Sequence, residues 1–122
     1  GVGKYVQSNG TDAEASQSTS LTSFNSNGFT LGSFNLFNDA STRTYCAWTF
    51  RKQPKFFDIV TYTGNATNRT ISHSLGSVPG MILVKDLSGT GAWAVYHRSV
   101  GNGAGQNYVL LMVLLMKVVE IL

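Results

Sequence analysis

Charge is scarce in this chain. Asp, Glu, Lys and Arg make up 12% of its 122 residues, and the formal net charge is +3. Cations so few and scattered argue against tracking a phosphate backbone, so no nucleic-acid partner is expected. Their only local group, Arg51, Lys52 and Lys55 around Gln53-Pro54, reads as a solvated loop between strands. Cysteine occurs once, which excludes an internal disulfide. Cys46 lies in the strand-like run Tyr45–Phe50 and is expected to be a small buried hydrophobe. Long apolar runs are absent until the end, where Tyr108–Leu122 reads YVLLMVLLMKVVEIL. That run is shorter than the ~20 apolar residues a bilayer requires. Lys117 and Glu120 also interrupt it, so no membrane partner is expected and a short helix or buried strand is the plain reading. The opening GVGKYVQSNG has neither a secretory leader's basic-then-apolar start nor an initiator methionine. Gly1 is therefore expected to be a processed or fragment start.

What is abundant is small and polar. Ser, Thr, Asn and Gly account for about two-fifths of the residues, well above average usage. A hydrophobic content of 43% with 11% aromatics nevertheless argues against disorder. Short apolar and β-branched runs, Phe57–Tyr62, Met81–Val84 and Trp93–Tyr96, are separated by clusters of Gly, Asn, Ser and Pro. That spacing predicts an all-β fold, an antiparallel β-sandwich or barrel. Strands are expected at Gly28–Leu31, Tyr45–Phe50, Phe57–Thr63, Thr70–His73, Met81–Asp86 and Ala92–His97, with an edge strand around Lys4–Gln7. In Tyr45–Phe50, alternation would set Cys46, Trp48 and Phe50 on one face and Tyr45, Ala47 and Thr49 on the other. Residues 1–27 read as a polar arm or edge segment, 28–110 as the sandwich domain, and 111–122 as an apolar tail.

No catalytic motif accompanies these strands. His73 and His97, the only histidines, belong to no HxH or HExxH pattern, so neither a metal nor another cofactor is expected. Asp58, His97 and a serine could be assembled into a triad, but no GxSxG elbow exists. Six acidic residues give little support to the paired carboxylates of glycoside hydrolysis. Gly101–Gly105 lacks the Lys-Ser/Thr of a phosphate loop, and the acceptor patterns at Asn65 and Asn68 indicate only an exposed loop. The aromatics are the more informative set. Most of Tyr45, Trp48, Phe50, Phe56, Phe57, Tyr62, Trp93 and Tyr96 are expected to fill an inter-sheet core. Exposed members would stack on sugar rings, and the candidate contact residues are Trp93, Tyr96, His97, Tyr62 and Asn65.

The succession GFTLGS, TYCAWTFRK, FFDIVTYTGN, RTISHSLGSVPGMILVKD and WAVYHRSVG resembles a domain of tailed-bacteriophage structural proteins. Such domains occur especially among marine phages, in tail-fibre and tail-appendage proteins of concanavalin-like jelly-roll character. The resemblance covers Asn27–Tyr108 and is most specific in Val60–Gly64, His73–Lys85 and Trp93–Gly101. It implies a virion component at the particle surface, partnered with other tail subunits and homo-oligomeric, often trimeric. It carries over no catalytic residue. The function expected is a non-enzymatic structural and adhesion module binding host-surface glycans weakly and in many copies. A purely architectural virion protein is the first alternative, and a glycan-cleaving enzyme on the same scaffold the second.

The resemblance also implies another Asn/Gly/Thr-rich strand after Leu110, where this chain turns apolar. One base out of frame, Met112-Val113 becomes glycine and Met116-Lys117 becomes glutamate. Suitable third positions make the remainder rich in Asn, Gly and Thr. A frameshifted ending at 111–122 is thus expected; an early stop in the alternative frame of the coding DNA would sink it.

Overall fold

The computed structural model describes residues 1–100 and the strand Tyr108–Leu110. Among them the chain is all-β: no helix is present and every strand pairing is antiparallel. Seven strands occur, β1 (Lys4–Tyr5), β2 (Ala15–Ser16), β3 (Leu21–Asn25), β4 (Gly28–Leu31), β5 (Met81–Val84), β6 (Ala94–His97) and β7 (Tyr108–Leu110). They form three small sheets, β1-β2, β3-β4 and β5-β6-β7. The expected frameshifted tail and the Gly101–Gly105 turn lie outside the described residues. Contacts divide the chain into two units, Gly1–Tyr45 with Met81–Leu122, and Cys46–Gly80.

All seven strands belong to the first unit. The pairing of β3 with β4 runs from Asn25↔Gly28 to Leu21↔Leu31, with one extra residue, Thr22, bulged out of β3. The Thr22 hydroxyl donates to the Thr30 carbonyl at 3.1 Å, which anchors the bulge to the neighbouring strand. The pairing Met81↔His97 to Val84↔Ala94 joins β5 to β6, and Ala94↔Leu110 to Tyr96↔Tyr108 joins β6 to β7. Central placement on β6 makes Val95 the one fully buried hydrophobic side chain among the described residues. A second nucleus is aromatic. Tyr5, Phe34 and Phe37 meet with ring centroids 5.5–5.7 Å apart, two of the three pairs edge to face.

Backbone hydrogen bonds knit residues 1–34 into this unit. Gly3 N–H donates to Leu21 O, Gln17 N–H to Gly3 O, and Phe34 N–H to Thr19 O. Gly32 is required where it stands, since a Cβ there would come within 2.4 Å of the Thr19 carbonyl oxygen. Farther along, Gly91 N–H donates to Thr11 O and Glu14 N–H to Leu87 O. Residues 1–27 thus hold β1, β2 and β3 and lie against the β5–β6 connection.

The second unit holds no strand, only an isolated bridge between Gln53 and Phe57. The strands expected at Tyr45–Phe50, Phe57–Thr63 and Thr70–His73 do not form. Their residue types suit an extended backbone, but extension becomes a strand only when a partner takes its N–H and C=O groups. Here side chains intervene: Asp58 Oδ1 accepts the Ile59 N–H at 2.8 Å, and Asp58 Oδ2 accepts the Ser74 N–H at 2.6 Å. The Pro54-Lys55 turn, with Lys55 in the left-handed region at φ 64°, closes the bridge after one pair.

Cys46 is exposed, because without a sheet the run Tyr45–Phe50 has no inner face. For the same reason the expected aromatic core is absent from this unit. Trp48 is 82% exposed and Phe56 66%, and Phe50 and Tyr62 are exposed too. Phe50, Phe56 and Phe57 cluster at centroid distances of 5.5–6.5 Å, leaving only Phe57 half-buried. No helix among the described residues is long and apolar enough to cross a membrane.

Candidate functional site

The five candidate contact residues fall in different units. Trp93, Tyr96 and His97 belong to the first, Tyr62 and Asn65 to the second. Trp93 is half-buried, and its indole Nε1–H donates to the Gln7 carbonyl at 2.9 Å, so this ring fastens the N-terminal segment to the entry of β6. Along β6 exposure alternates, with Val95 and His97 turned to the buried side and Ala94 and Tyr96 to the exposed side. His97 Nδ1 accepts the Ser99 N–H at 3.2 Å and its carbonyl accepts the Val100 N–H, both bonds shaping the turn that leaves the strand. Tyr96, 37% exposed, stands opposite Ile82, and Ala94 opposite Val84. These four residues make an apolar face on the sheet.

In the second unit the Arg69 guanidinium lies over the Tyr62 ring at 5.5 Å from its centroid and donates to the Thr63 carbonyl. Asn65 Oδ1 accepts the Thr67 N–H at 3.2 Å in a side-chain turn around Ala66, whose φ is 56°. Both candidates are exposed.

The strongest polar constellation is one the sequence reading did not single out. The side chain of Asp58, only 4% exposed, meets Lys52 Nζ at 2.5 Å and accepts both the Ser74 hydroxyl at 2.7 Å and the Ser74 amide. These partners span residues 52–74 and clasp a segment that has no sheet. The Lys52 ammonium, then the Ser74 donors, hold the Asp58 carboxyl far below the usual carboxylate range. Asp86 is also lowered, by the Ser88 amide and hydroxyl and the Gly89 amide, which close a tight turn on its carboxylate. Both shifts oppose what a general acid needs, which is a raised pKa. Glu14 is paired with Lys4 at 2.5 Å and Asp39 with Arg43 at 3.2 Å. Among the described residues no group of three His, Cys, Asp or Glu side chains is placed to hold a metal. An open depression of about 370 Å³, lined by Val2, Gly3, Lys4, Ser16, Ser18, Leu21 and Thr22, offers one cation, Lys4, which Glu14 already holds.

A lone aspartate in sequence gives no hint of a partner in Ser74, because the two are joined only by the path of the chain between them. The aromatic nucleus of the first unit did leave a trace. Phe34 and Phe37 are spaced for a single helical turn, and the Phe37 and Asn38 amides do donate to the Phe34 carbonyl.

Fold and site together define an all-β domain whose polar clusters close turns and clasp loops, and whose aromatic and aliphatic side chains lie widely exposed. The chain belongs to the family described as Domain of unknown function (DUF7483), whose model matches residues 1–114 and so runs through both units. No curated protein and no solved structure matches it.

Proposed function

We propose that this domain is a non-enzymatic structural and attachment module that works in several copies, each copy covering apolar surface on the next. One observation carries this reading. Val95 is the only fully buried hydrophobic side chain among the described residues, while β5 leaves Met81, Ile82, Leu83 and Val84 each 39–46% exposed. An antiparallel edge strand with apolar side chains and no neighbour among the described residues on its outer side is a surface for pairing. A second copy is its natural cover, since most soluble assemblies repeat one chain. The resemblance to tail-fibre and tail-appendage domains supports placing such an assembly on a virion, where many weak contacts to host glycans would add up.

Light scattering on the purified chain tests the reading. The mass expected is a small multiple of 13.2 kDa. The substitutions Ile82→Lys and Val84→Lys together are expected to bring it to the monomer. A monomer at every concentration before substitution would overturn the proposal.

A further inference from the structure

We infer that residues 46–80 form an attachment surface for an anionic polysaccharide. This deepens the reading above and rests on it. The chain's charge is unevenly divided: Arg51, Lys52, Lys55 and Arg69 face a single acid, Asp58, within this unit, so it carries the whole formal +3 while the rest of the chain balances. The one acid is withdrawn. Asp58 is 4% exposed and engaged by Lys52 and Ser74, which leaves Arg51, Lys55 and Arg69 exposed with no carboxylate partner among the described residues.

Aromatic side chains are interleaved with these cations along the sequence. Trp48 is 82% exposed, Phe50 56% and Tyr62 52%, the last already carrying Arg69 over one face. Rings of this kind pack on the apolar face of a sugar, and neighbouring cations meet its carboxylate or sulfate groups. The charge count also selects among anionic partners. A nucleic acid presents a charge at every phosphate, and a protein that follows it neutralises many of them. Two outward cations, Arg51 and Lys55, with Arg69 seated on Tyr62, suit a polymer whose charges come once per sugar or less. A second copy is disfavoured on this unit, because each would bring the same net positive charge to the contact.

Titration calorimetry on the full chain tests the inference with polygalacturonate, neutral dextran and oligothymidylate as probes. Binding to polygalacturonate is expected, with none to dextran and weaker binding to oligothymidylate. Raising NaCl to about 0.5 M, where the Debye length is about 4 Å, is expected to weaken it. Arg51→Glu with Lys55→Glu is expected to lower the affinity about fivefold or more, both side chains being solvent-exposed. Trp48→Ala is expected to lower it independently of salt. No heat with polygalacturonate, equal affinity for dextran, tighter binding of oligothymidylate, or indifference to the charge reversals would each overturn the inference. The mass of the same samples reports separately on assembly, so loss of polysaccharide binding in an intact oligomer would overturn only this step.

Discussion

The two units of this chain solve one problem in different ways. The described residues of the first unit build ladders, forming three short sheets together with the fully buried Val95 and the Tyr5–Phe34–Phe37 rings. Residues 46–80 form no ladder beyond one bridge; a few backbone bonds around Gln53 and Lys55 are joined by side-chain ones, with Asp58 reaching Ile59 and Ser74 and Asn65 reaching Thr67. A ladder repeats, and it leaves faces that can pack. A clasp is local and leaves its neighbours, Trp48 and Tyr62 among them, facing solvent. The difference shows how one composition rich in Ser, Thr and Asn can support both a small core and a segment whose rings stay exposed.

Breaking the ladder unit should have the largest effect. Val95→Asp would put a carboxylate at a position with 0% exposure, and loss of the cooperative transition of this unit is expected in thermal melts followed by circular dichroism. A melting curve like that of the parent would mean that β6 is not central to its stability. Next comes Gly32→Ala, whose Cβ meets the Thr19 carbonyl; a loss of about 1–3 kcal/mol in urea unfolding is expected. The smallest global effect belongs to the clasp. Asp58→Ala should leave the strands intact while making residues 46–80 quicker to be cut by protease, as mapped by mass spectrometry.

The clasp also has a pH signature. Asp58 is held lower in the folded chain than in the unfolded one, so its stabilisation is complete above the unfolded value of about 3.9. It is lost as pH falls through the lowered folded value. Protease resistance of residues 46–80 is therefore expected to persist at pH 4–5 and to fail only in stronger acid, earlier in Ser74→Ala than in the parent.

Legibility in the sequence differed between the units for the same reason. The runs Met81–Val84 and Ala94–His97 appear as strands because their apolar residues have partners close in sequence, across a short connection rich in Ser and Gly. Gly28–Leu31 pairs with its immediate neighbour Leu21–Asn25. The aromatic runs of 45–63 have equal strand character but find no partner, and no local pattern could reveal that. Trp93 and Tyr62 looked alike as ligand-contact candidates. Only the folded chain separates the one tied to Gln7 from the one left exposed under Arg69.

By itself the sequence determined the all-β class, through residue types that favour extended backbone and turn chemistry at Gly, Asn and Pro. It also set the number and order of the charges, whereas their uneven division between the units follows from boundaries that only the folded chain draws. Tertiary structure decided which extended runs became strands, where Asp58 found Lys52 and Ser74, and which aromatics were covered. The physical reason is that pairing and burial depend on what distant residues bring alongside, and 16 residues of chain separate Asp58 from the serine that holds it.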